Sequence, residues 1–433
     1  MNSSMNEYSL ENSTPRSFFG LPPEVKFCRK CVISNQRPSS TVEFTSSVNE
    51  KKQTIGFGPS DLCEACSYHE IKNSQIHWDK REKKLVSLLE KYRRNDGRYD
   101  VIIPGSGGKD SSFTAHILKY KYGMNPLTVT WAPHRYTEIG WKNFENWIHI
   151  GGFDNILFTP NGQVHRYLTK QAFLNLLHPF QPFIVGQKII GPAMALKYGV
   201  ELVMYGENQA EYGNKIDENF ESAMDKSFFS LSEKDALRLG GLSVKEILSD
   251  TEFHLADLAP YMAPTEKEIR DNEINVQFLG YYLKWDPQEC YYYAVENCGF
   301  QANDQRTEGS YSKYSSIDDQ IDPFHYYTTL IKFGIGRASY DAAQEIRSGD
   351  ITREEGVALV KKFDHEFPNR FINELFAYLS LPEKEFPIAS RKFESPIIDR
   401  EYFDLLTNTF RSPHIWKYTS GSWNLRNPLS NNQ

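Results

Sequence analysis

The sequence predicts an α/β protein with a central parallel sheet, preceded by a small cysteine module and followed by a mostly helical region. Three observations lead to this prediction. Apolar strands alternate with helical segments from residue 99 to about 213, two Cys-x-x-Cys pairs lie before them, and helical patterns dominate after about residue 225. We divide the 433 residues into a disordered leader (1–26), the cysteine module (27–70), a linking helix (71–98), the α/β domain (99–225) and the helical region (226–433).

The leader is polar and rich in Ser, Asn and Glu, which predicts disorder. In the module, the pairs Cys28, Cys31 and Cys63, Cys66 enclose 31 residues (32 through 62) of low hydrophobicity. Such a segment needs metal ligation for stability, and four thiolates at this spacing predict a structural zinc site of the zinc-ribbon kind. A redox pair, an iron–sulfur cluster and four unrelated thiols are the alternatives.

The linking segment "HWDKREKKLVSLLEKYRRNDG" has leucines at helical spacing and a glycine after its end, so it predicts one helix. Cys290 and Cys298 stand apart in an aromatic stretch, where packing explains them. In the helical region, Thr352 and Glu355 form a capping box ahead of an apolar stripe.

The α/β domain contains four predicted strands, and helices follow them. The strands are "YDVII", "LTVTW", "NILFT" and "ELVMYG"; the helices are "SSFTAHILKYKY", "GWKNFENWIHI", "VHRYLTKQAFLNLL" and "PAMALKY". We place Pro192 at the first position of the last helix, where a missing N–H costs nothing. This alternation predicts a Rossmann-like sheet covered on both faces, with a ligand-binding edge where the strands end.

Composition excludes several classes of function. Lysine and arginine total 49 against 56 acidic residues, a net charge of −7, and no basic tract is present. This balance disfavours binding to nucleic acid, which needs clustered positive charge. No uncharged apolar run reaches the roughly 18 residues of a membrane span, and the first residues lack a signal-peptide pattern. We therefore expect a cytoplasmic protein without membrane insertion.

The clearest chemical motif follows the first predicted strand and consists of Ser106, Gly107, Gly108, Lys109, Asp110 and Ser111. It fails the G-x-x-x-x-G-K-[ST] phosphate loop at positions 103 and 110, and it fails the G-x-G-x-x-G fingerprint at position 110. Glycines ahead of a helix start still make an anion site, because free backbone N–H groups and the helix dipole favour negative charge. Lys109 adds a cation and Asp110 a magnesium ligand. A glycine-rich connector that merely caps the helix is the alternative.

Ser-Gly-Gly-Lys-Asp-Ser after a first buried strand resembles the PP-loop of the ATP pyrophosphatase superfamily. That group includes NAD synthetase, GMP synthetase and several tRNA thiolation enzymes. The resemblance implies an adenine nucleotide alpha hydrolase-like fold, ATP and Mg²⁺ as cofactors, and release of pyrophosphate. It does not identify the substrate.

The paired cysteines, "LVMYGENQAEYG" and "HYYTTLIKFGIGRASYDAAQEIRSGDITREEGVALVKKFD" resemble the N-acetyl sugar amidotransferase family of bacterial surface-polysaccharide biosynthesis. These enzymes turn an acetamido group into an acetamidino group. An amide oxygen leaves poorly, so the resemblance implies that ATP adenylates it to an O-adenyl imidate and that ammonia then displaces AMP.

Further candidate residues lie downstream of the loop. Glu207 and Asn208 follow a predicted strand at the ligand-binding edge, where Glu207 is a candidate for binding magnesium or a sugar hydroxyl and Asn208 for binding the acetamido group. Lys332 and Arg337 are candidate donors to leaving phosphates or to a nucleotide-linked sugar. Gly206 and Thr130 complete the candidate nucleotide site. The alternatives are a turn closed by Glu207 and Asn208, and a solvated helix face carrying Lys332 and Arg337.

No cysteine lies in a glutaminase-like turn, so the ammonia must come from elsewhere. The resemblance implies a separate glutaminase subunit and an ammonia-conducting barrel subunit resembling imidazole glycerol phosphate synthase. Two rival functions are a tRNA sulfur-transfer enzyme that uses the same adenylation, and a binding module that only senses ATP.

Overall fold

The computed structural model describes residues 15–48, 50–58, 60–207, 211, 221–232, 237–380 and 398–430. Five strands form one parallel sheet in the order β3-β2-β1-β4-β7, and two hairpins, β5-β6 and β8-β9, lie outside it. The strands are β1 (Val101–Pro104), β2 (Pro126–Trp131), β3 (Asp154–Phe158), β4 (Leu202–Tyr205), β5 (Arg238–Leu239), β6 (Leu242–Ser243), β7 (Asn275–Phe278), β8 (Trp416–Thr419) and β9 (Ser422–Leu425).

Helices cover both faces of the sheet. The first eight are α1 (Glu64–Ser74), α2 (Trp78–Tyr92), α3 (Lys109–His116), α4 (Glu138–His149), α5 (Gly162–Leu176), α6 (Gln181–Tyr198), α7 (Val244–Asp250) and α8 (Leu255–Leu258). The others are α9 (Glu266–Asp271), α10 (Leu279–Tyr282), α11 (Pro287–Cys298), α12 (Asp322–Phe333), α13 (Arg337–Ser348), α14 (Arg353–Phe363), α15 (Ile372–Leu379) and α16 (Arg400–Asn408). None of the helices in the described ranges is both long and apolar enough to cross a lipid bilayer.

The predicted parallel, doubly covered sheet is confirmed. Along β1, Ile102 packs into one apolar core, whereas Val101 and Ile103 pack into another. Alternate residues of a strand point to opposite faces, so both faces of the sheet are buried. The chain order reverses between β1 and β4, which are neighbours in the sheet. The loops that follow these two strands therefore lie at the switch point, where open sheets bind ligands.

The sheet has one strand more than the sequence predicted. Asn275–Phe278 pairs in parallel with β4, although it lies in the region 226–433 that we expected to be helical. Its four residues include Asn and Gln, so the apolar signal of a buried strand is weak. The sheet thus extends beyond the predicted boundary at residue 225.

The predicted helix start at Pro192 is wrong, because α6 runs from Gln181 to Tyr198 with Pro192 inside it. A proline within a helix leaves the carbonyl four residues earlier without its N–H partner. That carbonyl belongs to Lys188, and it accepts a hydrogen bond from the Tyr205 hydroxyl at 3.1 Å. The side chain from β4 thus replaces the missing helical hydrogen bond.

Part of the predicted disordered leader is ordered. Leu21 is buried against Leu330, Phe333 and Trp416, and the Phe18 N–H donates to the Ser412 hydroxyl at 2.9 Å. The apolar "FFGL" stretch explains the error, because its burial offsets the cost of ordering. Residues 1–14 of that prediction lie outside the described ranges.

Two local predictions are confirmed. The linking segment forms α2, and the Thr352 hydroxyl accepts from the Glu355 N–H in a complete capping box at the start of α14. Cys290 and Cys298 are both buried in α11, where packing is sufficient to explain them.

Candidate functional site

The loop between β1 and α3 is shaped by its glycines. Gly107 has φ +82°, and a Cβ there would lie 2.9 Å from the Asn143 carbonyl oxygen. A Cβ on Gly105 would lie 2.3 Å from the Cβ of Ser111. Gly108 then provides the N-cap of α3. The first N–H groups of a helix have no partner within it, so the chain presents backbone donors and a positive dipole end here.

Lys109 and Asp110 form an ion pair at the start of α3. The Lys109 Nζ lies 2.6 Å from Asp110 Oδ2, and the Trp285 indole N–H donates to Asp110 Oδ1 at 3.1 Å. The ammonium also lies 5.4 Å from the centre of the Trp285 ring. Burial opposes the charge, but the Asp110 carboxylate raises the pKa of Lys109 above its ordinary value. Lys109 is therefore a fixed cation beside the loop amides.

A cavity of about 540 Å³ opens in front of this loop. Its wall includes loop residues 106–110, segment 315–318, Asp322, Arg337, Tyr340 and Asp341. A second cavity of about 260 Å³ shares Ser106, Gly108 and Asp110 with the first. Ser111, Gly206 and Glu207 also line this second cavity. The loop thus contributes to two neighbouring cavities.

Gly206 and Glu207 follow β4 at the switch point. A Cβ on Gly206 would lie 3.0 Å from Thr114 Oγ1 in α3, so glycine lets β4 approach the helix closely. Glu207 lies near two cations, since its charge favours the charged forms of Lys109 and Lys188, although burial lowers the pKa of Lys188. Asn208, predicted to bind the acetamido group, lies outside the described residues.

The structure brings Arg337 into the cavity with the loop, at the start of α13. Its guanidinium lies 3.0 Å from an Asp341 carboxylate oxygen and 4.3 Å from the centre of the Tyr326 ring. Burial alone would lower the pKa of Arg337, but the Asp341 carboxylate raises it. Arg337 therefore remains charged while facing the cavity.

Two predicted site residues do not line either cavity. Lys332 donates to the Leu176 carbonyl at 2.7 Å, and burial lowers its pKa to about 7. The Thr130 hydroxyl lies 3.0 Å from the Asn155 amide nitrogen in the neighbouring strand. Val129 and Trp131, on either side of Thr130, line the smaller cavity instead. Because β2 is buried on both faces, its sequence shows no alternation that would predict which of its residues face a ligand.

Two cavity carboxylates were not predicted from the sequence. Asp318 lines the same cavity as Ser106 of the loop, and burial raises its pKa. Asp322 lies at the start of α12, where burial raises its pKa to about 7 while Arg337 opposes the shift. The acidic run "SSIDDQID" is the local sequence signal for these two residues. It does not by itself predict a site, because the site forms only through contact with a loop some 200 residues earlier.

Asp322→Asn is expected to raise the melting temperature at pH 8 by a few degrees. A carboxyl whose pKa rises from 3.8 to about 7 on folding binds more protons in the native state, so its ionisation destabilises the fold as pH rises through this window. The amide carries no such cost. Thermal denaturation of both proteins should therefore show a difference that is full above pH 7 and shrinks toward pH 4. A constant difference across this range would contradict the shift.

The four module cysteines converge as predicted. Cys28, Cys31, Cys63 and Cys66 are buried, and their sulfur atoms all lie within 4.8 Å of one another. Cys31 Sγ and Cys63 Sγ are 3.7 Å apart. Zinc–sulfur bonds of about 2.3 Å in a tetrahedron place sulfur atoms roughly 3.8 Å apart. A cubane iron–sulfur cluster would need a wider arrangement, because each cysteine binds a different iron. The donor set and spacing fit one metal ion.

The family model "LPS biosynthesis protein WbpG-like, C-terminal domain" matches residues 308–429. The matched segment therefore includes Asp318, Asp322 and Arg337. The chain is also 28% identical over 81 residues to the uncharacterized protein MJ1599 of Methanocaldococcus jannaschii, covering 19% of this chain and 28% of that protein. The alignment thus spans little more than a quarter of the length of this relative.

Several solved structures are similar to this chain at low identity. The NH3-dependent NAD synthetase of Campylobacter jejuni is 15% identical with a TM-score of 0.26, covering 32% of this chain and 59% of that one. The NMN synthetase of Francisella tularensis is 13% identical with a TM-score of 0.28, covering 71% of this chain and 98% of that one. The U34-tRNA thiolase NcsA of Methanococcus maripaludis, with its [4Fe-4S] cluster, is 11% identical with a TM-score of 0.30, covering 77% of this chain and 88% of that one. Similarity at this level transfers neither residues nor activity.

Proposed function

We propose that this protein is an ATP-dependent amidotransferase that converts the acetamido group of an N-acetyl sugar into an acetamidino group. One observation carries the proposal. The glycine loop and Arg337, which belongs to the WbpG-like segment, line the same cavity of about 540 Å³. One cavity is thus lined both by an anion site typical of adenylation and by a segment similar to a domain of lipopolysaccharide biosynthesis.

In the first step, the amide oxygen of the sugar attacks the α-phosphorus of ATP, and the bond to pyrophosphate breaks. Negative charge develops on the leaving pyrophosphate. The loop amides, Lys109 and Arg337 are fixed donors that stabilise this charge, and such preorganised electrostatics usually contributes most to transfers of this kind. The amide nitrogen loses its proton to solvent, and the product is an O-adenyl imidate, whose carbon is a better electrophile than that of the amide.

In the second step, ammonia adds to the imidate carbon, and the bond between carbon and the adenylate oxygen breaks. AMP leaves with the former amide oxygen, and the sugar keeps the nitrogen as a protonated amidine. Asp322 has a pKa of about 7, which suits a base that takes a proton from incoming ammonium near neutral pH. Asp322 lines the same cavity as Asp318 and Arg337, which supports this role.

Two metals have candidate ligands in this chain. Mg²⁺ would neutralise phosphate charge, with Asp110 and Glu207 as oxygen ligands at the edge of the smaller cavity. Binding there requires Asp110 to exchange its contacts with Lys109 and Trp285 for the ion. The four cysteines would hold a structural zinc ion, in keeping with their spacing.

The ammonia source and the cell compartment belong to the same proposal. We expect a glutaminase subunit to generate ammonia and a barrel subunit resembling imidazole glycerol phosphate synthase to conduct it to the cavity. ATP and nucleotide-linked sugars are cytoplasmic metabolites, so we expect the enzyme to act in the cytoplasm.

The test is to incubate the protein with ATP, magnesium, ammonia and a panel of N-acetylated sugars, and to measure pyrophosphate and sugar mass. We expect pyrophosphate release only when an acetamido sugar and ammonia are both present, with the small mass decrease that replaces oxygen by NH. Omission of either component is the control. Equal turnover on unmodified tRNA with a sulfur donor would instead identify the sulfur-transfer enzyme.

A further inference from the structure

The cysteine module extends into the loop cavity through Arg37 and Ser40. Arg37 follows the first cysteine pair by six positions and lines the same cavity as Ser106, Lys109 and Arg337. It is only 6% exposed. The module therefore forms part of the cavity wall, although its cysteines lie outside that wall.

The charge of Arg37 is less compensated than that of the other cavity cations. Its guanidinium lies 4.8 Å from the centre of the Tyr340 ring. Within the described ranges no carboxylate pairs with it, whereas Lys109 has Asp110 and Arg337 has Asp341. Burial lowers the pKa of Arg37, and Tyr340 and the thiols of Cys63 and Cys31 offset this only in part, so this buried cation would gain from a further counter-charge.

The backbone around Arg37 is held in place by the module. The Arg37 N–H donates to the Ser34 carbonyl at 3.2 Å, and the Arg37 carbonyl accepts from Ile55 at 3.0 Å. The preceding turn is closed by the Cys28 N–H, which donates to the Ile33 carbonyl at 2.8 Å. These contacts fix the start of the side chain and lower the entropy lost when its guanidinium binds a ligand.

We propose that Arg37 is an oxyanion-binding residue of the 540 Å³ cavity, positioned there by the metal-stabilised cysteine module. Its planar fork suits a phosphate or a carboxylate, and the facing Tyr340 ring fixes its plane. The oxyanion belongs either to the phosphates of ATP or to an anionic group on the amide substrate. Only the identity of this second ligand rests on the proposed function, because anion binding does not require turnover.

Calorimetric titration of the full chain tests this role. The variants are Arg37→Gln, Arg37→Lys and, as a charge-matched control on an exposed site of the same module, Lys51→Gln. The probes are magnesium ATP, N-acetylglucosamine, its phosphate ester and N-acetylneuraminate. Metal content is measured for every variant, so that loss of the module is distinguished from loss of the guanidinium.

We expect Arg37→Gln to weaken binding of an anionic probe by roughly tenfold to hundredfold while keeping its metal, with Arg37→Lys intermediate and Lys51→Gln unchanged. Weaker ATP binding assigns the oxyanion to the nucleotide. Weaker binding of an anionic sugar, with ATP and N-acetylglucosamine unaffected, assigns it to the substrate. Equal affinities of wild type and Arg37→Gln for every probe that wild type binds would overturn the proposal. Metal loss from Arg37→Gln would also overturn it, since Arg37 would then be a counter-ion of the thiolates.

Discussion

Lys109→Ala is expected to lower ATP-dependent pyrophosphate release by about a hundredfold to a thousandfold, with the fold intact. The ammonium lies beside the loop amides and is held by Asp110 at 2.6 Å. In the proposed reaction, this substitution removes a cation where charge develops on the leaving pyrophosphate, and it leaves the Asp110 carboxylate without its ion-pair partner. Pyrophosphate release measures the loss of activity, and circular dichroism shows whether the fold is intact.

Two further variants serve as controls for Lys109→Ala. Lys109→Arg keeps the charge but moves it, so it should recover part of the activity. Lys84→Ala removes an exposed lysine of α2 and should leave activity unchanged. Near-normal activity of Lys109→Ala in a folded protein would show that the loop is only a helix-capping connector.

The double variant Cys28→Ser, Cys63→Ser is expected to lose one metal ion per chain and to unfold the cysteine module locally. Structural zinc contributes on the order of 10 kcal/mol to small modules of this kind, and two ligands cannot hold the ion tetrahedrally. Metal analysis and hydrogen exchange of α1, which begins next to Cys63, measure the change.

Loss of the module should also weaken the site. Lys72 of α1 lies 2.6 Å from Glu211, and it donates to the carbonyl of Trp285, the residue that binds Asp110. Cys298→Ser, which replaces a buried thiol far from the four ligands in sequence, is the control and should retain its metal. Unchanged metal content in the double variant, or an oxygen-sensitive brown chromophore in the wild type, would contradict the zinc assignment.

The sequence predicted features that depend on local pattern. The glycine loop, the strands β1, β2, β3 and β4, and the four-cysteine cluster all carry their signal within a few residues or in a fixed spacing. Each is governed by short-range physics: helix capping, burial of alternating side chains, and the geometry of a tetrahedral ion.

Features that depend on packing between distant segments were not predicted. Arg37, Asp318 and Asp322 line the loop cavity only because the cysteine module and the start of α12 come close to the loop after β1. Lys332 and Arg337 are five residues apart, yet the turn between α12 and α13 sends one into the core and the other to the cavity. The residue types at these positions indicated possible site chemistry, but the sequence did not predict which side chains face the cavity.

The proposed function depends on one step, the activation of the amide oxygen of a sugar by ATP. An isotope experiment follows that oxygen: the protein is given an N-acetyl sugar with heavy oxygen in its acetamido carbonyl, together with ATP and nitrogen-labelled ammonia, and the products are analysed by mass spectrometry. We expect heavy oxygen in the phosphate of AMP and labelled nitrogen in the sugar. Unlabelled AMP alongside a modified sugar would contradict this step, since the amide oxygen would then have left by another route.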